Sequence, residues 1–151
     1  MTTQTATAAT TRTDPQVPLQ LKLAAAWASF MFIYINVDLL GLYKPGTVEG
    51  ILKGKVFTFD ITQTFMVGAL AASAVPIMMI ALSTALPARA NRRTNLVAAF
   101  LLIPWMAFIL VGGAWPVYHG LGFALELLLL TFIIRSAWIW HLTPAIPSLK
   151  R

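Results

Sequence analysis

The sequence predicts an all-α fold, a four-helix transmembrane bundle with both termini cytoplasmic. Three observations carry this. Hydrophobic residues make up 58% of the 151 residues and charged residues 11%, with a mean hydropathy of +0.77. A soluble domain usually carries about 25% charged residues. Four apolar runs of about 20 residues account for the excess, each long enough to cross a ~30 Å hydrocarbon core. The basic residues also alternate between loops. Eight lie in the N-terminal segment (Arg12, Lys22), the 87–95 turn (Arg89, Arg92, Arg93) and the C-terminal end (Arg135, Lys150, Arg151). Only Lys44, Lys53 and Lys55 occupy the two other loops. The positive-inside rule places the richer set in the cytoplasm, so the net charge of +6 reflects membrane topology and not nucleic-acid binding. The expected location is the inner (plasma) membrane, multi-pass, with the lipid bilayer as partner and a homo-oligomer or larger membrane complex as the further partner class. The absence of cysteine excludes disulfide exchange, thiolate metal sites and iron–sulfur clusters.

Taken in order, residues 1–18 form a Thr/Ala-rich tail closed by Pro15 and Pro18. With so little apolar surface to bury, this tail is expected to be disordered. The membrane domain is expected over 19–143, followed by a short basic tail, 144–151. Span 1 is expected from Leu23 to about Tyr43. In the loop that follows, Lys44-Pro45-Gly46 is a turn signal. Thr47 is placed to cap a short surface helix, Val48 to Lys53, with Gly54 as its stop. Span 2 is expected from Ile61 to about Leu82. Asp60 is placed as its cap, because Asp60 and Gln63 have capping-box spacing. Its Gly68–Ala74 stretch is a small-residue face suited to close helix packing, and Pro76 is expected to kink it. Pro87 to Asn95 reads as a tight basic turn. Span 3 follows over about 96–115 with Pro104 inside it, and span 4 over about 120–140, ended by Pro144 and Pro147.

Candidate functional residues gather at one depth, the outer half. By helical rise, Asp38 lies about 7 Å inside the end of span 1, and Asn36 and Glu126 about 10 Å inside the ends of spans 1 and 4. An ionised carboxylate at such depth costs about 2.5–3.5 kcal/mol, so these acids are expected to face the bundle or a wet cavity. Asp38 lies near a helix C-terminus, where the dipole disfavours negative charge, so it requires a cation or a proton. Lys44, Lys53, Lys55 or His119 could supply it; a structural ion pair and a functional one are equal readings. Glu126, amid leucines, reads equally as an interhelical hydrogen-bonding group or a proton-coupled site. His119 lies two turns before Glu126 on the same face. The expected ligand pocket is therefore Asn36, Asp38, His119 and Glu126, with Gln63 and Trp115 at its mouth. Trp105 beside Pro104 reads as packing, and Arg135 as an anchor snorkelling to the surface. His119 and His141 are 22 residues apart, about 33 Å along one helix, and cannot share one haem within the chain. A zinc or iron set of His119, Glu126 and Asp38 has thin support, and no cofactor or metal is expected.

The run LKLAAAWASFMFIYINVDLLGLYKPGTVEGILKGKVFTFDITQTF, then LPARANRRTN, then residues 115–126, resembles a family of small uncharacterised bacterial four-span integral membrane proteins. The resemblance extends from Leu21 to Trp140. It implies a four-helix membrane bundle and no particular activity. In that family an acidic residue often stands where this chain has Gly113, a departure that weighs against a catalytic site. The expected function is thus binding or transport of a small ligand, proton or cation through the outer-half pocket. The alternative is a non-catalytic accessory subunit packing through the small-residue face of span 2. A membrane enzyme is the reading that the residues support least, because no nucleophile–base pattern or metal set is complete.

Overall fold

The computed structural model describes residues 17–56, 59–112 and 115–140, and of 108–112 the backbone alone. The expected tails, His141 and Gly113 lie outside the described residues. Four long helices dominate: α1 (Leu19–Gly41), α3 (Gln63–Ala85), α4 (Ala88–Gly112) and α5 (Pro116–Ile139). Between α1 and α3 lie a short helix, α2 (Thr47–Leu52), and a two-stranded hairpin, β1 (Lys55–Val56) with β2 (Phe59–Asp60). α1, α3 and α5 are each long and apolar enough to cross a membrane, with mean hydropathies of 1.6, 2.2 and 1.9. This is a membrane protein, mostly helical.

Each long helix packs on its sequence neighbour, and α5 closes back onto α1. The start of α1 therefore shares one end with the close of α3, the start of α4 and the close of α5. The opposite end holds the close of α1, α2, the hairpin and the start of α5. A stripe on α1 explains how the interior is built. Leu23, Trp27 and Phe30 are fully buried, and the same spacing carries on through Tyr34, Val37 and Gly41. Met79, Leu102, Met106, Leu130 and Ile133 meet this stripe from the other three long helices. The apolar core thus occupies the half nearest the start of α1, and the stripe turns polar toward the other end.

Two local expectations are corrected. The stretch 88–95 is not a turn but the opening of α4, which begins directly after Pro87. It is held there by a buried polar network. Asn95 Oδ1 accepts from Trp27 Nε1 (2.7 Å) and Ser83 Oγ (3.3 Å). Its Nδ2 donates to Asn91 Oδ1 (2.6 Å) and to the Asn91 carbonyl (2.9 Å), while Asn91 Nδ2 donates to the Ser83 carbonyl (2.5 Å). Beside the network the Arg92 guanidinium stands 5.8 Å over the Trp138 ring.

The cap of α3 is Thr62 and not Asp60. Thr62 Oγ1 accepts from Phe65 N at 3.1 Å, whereas Asp60 is drawn into the hairpin opposite Lys55. The hairpin moves the helix start two residues on, so Gln63 becomes the first helical residue. Thr62→Ala is expected to cost about 1 kcal/mol, as lost caps do. Exposed Asp60→Ala should stay within about 0.5 kcal/mol of wild type. Denaturant unfolding of the two variants checks the order; equal losses would contradict the assignment.

α2 begins at Thr47 itself, with Gly46 (φ 82°) before it and Gly54 (φ 75°) just beyond its end. Both conformations favour glycine. None of its residues is buried, and Lys53 pairs with Glu49 at 2.6 Å along its outer surface.

Candidate ligand site

The polar part of the α1 stripe opens into two connected spaces. The larger, about 530 Å³, lies between the end of α1, the 42–46 turn, α2, β1 and the start of α5. Its wall includes Asp38, Lys44, Ile51, Lys55, Trp115 and His119. Beneath it a chamber of about 40 Å³ is lined by Tyr34, Val37, Asp38, Met106, His119, Phe123 and Glu126. Val37, Asp38 and His119 line both spaces. The smaller has room for one or two waters, and the larger falls within the about 300–1,000 Å³ of small-molecule sites.

Helical spacing places these groups. Tyr34, Val37, Asp38 and Gly41 follow an i, i+3, i+4, i+7 pattern on α1, and His119, Gly122, Phe123 and Glu126 repeat it on α5. The two stripes meet closely. A Cβ at Gly122 would lie 2.7 Å from Val37 Cγ2, so only glycine permits this approach. Tyr118 Oη donates to the Val37 carbonyl at 2.5 Å, a second tie between the helices. His119 is 9% exposed, and its Nε2 is 3.0 Å from Lys44 Nζ. With the ammonium as donor, the imidazole proton sits on Nδ1. Glu126 is 6% exposed, and among the described residues its carboxyl makes no hydrogen bond or ion pair.

The sequence-predicted site divides. Asp38, His119 and Glu126 come together at the chamber, and Trp115 stands on the larger cavity. Asn36 does not join them. It is two residues from Asp38, about 200° round the helix, where it is exposed and donates to the Phe32 carbonyl at 2.7 Å. Gln63 is exposed at the start of α3 and lines neither space. Among the described residues, no three His, Asp or Glu side chains are placed to hold a metal ion.

Residues 17–145 match the family of unknown function DUF6326. The chain belongs to that family. No curated protein and no solved structure matches it.

In this DUF6326 member the site includes groups that sequence reasoning missed. Tyr34 and Val37 lie on the Asp38 face of α1 and were legible from spacing alone. The contact of Lys44 with His119 joins residues 75 apart in the chain and left no local signal. Trp115 adds a backbone feature. It caps α5 with φ 70°, the only described non-glycine residue in the left-handed region, while its side chain remains 54% exposed at the cavity. That conformation costs a non-glycine residue about 1–2 kcal/mol. Such strain concentrates where function holds it in place.

Proposed function

We propose that this chain is a four-span protein of a bacterial inner membrane, with both termini cytoplasmic, that binds or transports a small molecule through a cavity open to the outer surface. The span of α4 is its apolar part from Leu96 onward. The near-end Lys22, Arg89, Arg92, Arg93 and Arg135, against Lys44, Lys53 and Lys55 at the far end, support this orientation. The observation that carries the functional reading is the cavity of about 530 Å³ with Asp38 and His119 at its floor. Its walls mix apolar groups (Leu42, Ile51, Val56), an exposed indole and a few convergent charges. This is the composition of a site for a small amphiphile. α2 and the hairpin form its outer side. Asp38 and His119, shared with the chamber below, link the ligand space to Glu126.

The test uses the strained indole. Purified full-length protein is unfolded thermally against a panel of small organic amines, carboxylates and neutral amphiphiles. At least one class should raise the Tm of wild type. Trp115→Gly should unfold no earlier than wild type in the absence of compound, since glycine accepts the left-handed backbone, and should lose that rise. A compound response that survives intact in Trp115→Gly, or no response to any class, contradicts the reading.

A second reading, an accessory subunit of a larger complex, has its support in α3. A Cβ at Gly68 would meet nothing within 4 Å, and Met66, Val67 and Leu70 beside it are exposed. This small-residue strip is open to a neighbouring helix.

A further inference from the structure

We propose that the small chamber beneath the cavity is a binding site for a compact monovalent cation, held between Glu126 and Asp38. The cation is either a bare alkali ion or the ammonium head of a ligand whose body fills the space above. This deepens the reading of the outer-half cavity and rests on its geometry.

Two independent features meet at the chamber. Two acidic residues from different helices, exposed Asp38 of α1 and buried Glu126 of α5, line one space of about 40 Å³. That volume suits one small ion with a water, or one ammonium group, and little else. The second feature is the state of Glu126. It is a polar side chain 94% removed from solvent (6% exposed), turned into the chamber, with no hydrogen-bond or ion-pair partner among the described residues. An acid at membrane depth is stabilised by an opposite charge.

The other groups facing the chamber fit a cation. Tyr34 also lines the wall, its hydroxyl bonded to Ser73 and Trp105, and the rest is Val37, Met106 and Phe123. His119 has its Nε2 engaged by Lys44. Lys44 lines only the upper cavity, not the chamber, so the protein's own ammonium marks the upper boundary of the site without filling it. Hard oxygen ligands without thiolate or free imidazole nitrogen suit an alkali ion or an ammonium and not a transition metal.

The test compares cations at equal ionic strength and pH 8 on the full-length protein in neutral detergent. Sodium chloride, potassium chloride and n-butylammonium chloride are set against N-methylglucamine chloride, whose cation is too large for the chamber. We expect a Tm rise of roughly 5 °C with at least one small cation. It should be lost in Glu126→Gln and in Asp38→Asn and retained in Glu49→Gln, which removes an exposed acid on α2. A rise with sodium or potassium alone assigns an inorganic ion, and a rise with butylammonium alone assigns a ligand head group.

If Glu126→Gln does not fold, Asp38→Asn and the infrared carboxylate band of wild type, recorded with and without the small cation, replace it. Wild-type indifference to every cation overturns the proposal, as does an undiminished rise in Asp38→Asn. So does an infrared carboxylic-acid band, absent from Glu126→Gln, that no cation alters, because the acid is then satisfied by its own proton. A sodium response that needs Glu126 survives even where no organic compound acts on Trp115, so the two readings fail separately.

Discussion

Asn95→Leu is expected to be the most damaging single substitution in the chain, costing about 2–4 kcal/mol. Asn95 is completely buried and takes part in four hydrogen bonds that connect α1, α3 and α4. Leucine keeps the branched outline of asparagine but is bulkier, so overpacking of a fully buried site adds to the polar loss. Trp27 Nε1–H and Asn91 Oδ1 are left in the interior without Asn95, and each such orphan costs about 1–3 kcal/mol. The total stays below the sum because side chains in a membrane-protein interior find alternative partners. The account also predicts partial rescue. Trp27→Phe combined with Asn95→Leu removes donor and acceptor together, so the double variant should be more stable than the two single losses added. Unfolding of all three variants in mixed detergent and denaturant measures this. Strict additivity would show that Trp27 and Asn95 do not interact.

Gly122→Val is expected to cost about 1–3 kcal/mol, the usual penalty of overpacking. It acts at the other half of the molecule. The position is buried and α-helical, so glycine is required there by space and not by backbone angle. A Cβ would lie 2.7 Å from Val37 Cγ2, and Val37 cannot swing away because its β-branched side chain has one favoured rotamer in a helix. The effect should reach the ligand site, since Gly122 lies between His119 and Glu126 and Val37 lies beside Asp38. Adding Val37→Ala should restore most of the stability. Thermal unfolding of the single and double variants checks this; no rescue by Val37→Ala would mean that the close approach of α1 and α5 is not what glycine provides.

Hydropathy alone located the apolar stretches to within a few residues at most ends, because runs of about 20 apolar residues admit few alternatives. The short helix after span 1 was legible from Pro45, Gly46 and Gly54, residues whose backbone preferences act locally. The start of α4 was not. A stretch with Arg89, Asn91, Arg92, Arg93 and Asn95 has a turn's composition, and only the burial of Asn91 and Asn95 against α1 and α3 makes it helix. Their i, i+4 spacing was the available clue. The Asp60 cap was overridden by a hairpin of two residues per strand, too short to leave any periodicity.

At the site, depth arithmetic brought Asp38, His119 and Glu126 together, since depth follows from helical rise. It failed for Asn36 because depth says nothing about azimuth, and Asn36 and Asp38 at i and i+2 cannot share a face. The contact of Lys44 with His119 depends on how the 42–46 turn folds back over α5, a tertiary fact absent from either segment.

In the function proposed above, Asp38 faces a water-filled cavity reached from outside the cell. The most direct measurement is the reactivity of single cysteines at Asp38 and Leu39 toward a membrane-impermeant, charged methanethiosulfonate added outside intact cells. The two positions are neighbours at nearly one depth, in a chain with no other cysteine. Asp38 lines the cavity, and Leu39, though exposed, lines neither space. The account predicts rapid labelling of Asp38→Cys and little labelling of Leu39→Cys. Equal reactivity of the two, or labelling of Asp38→Cys only from the cytoplasmic side of inverted vesicles, would contradict it.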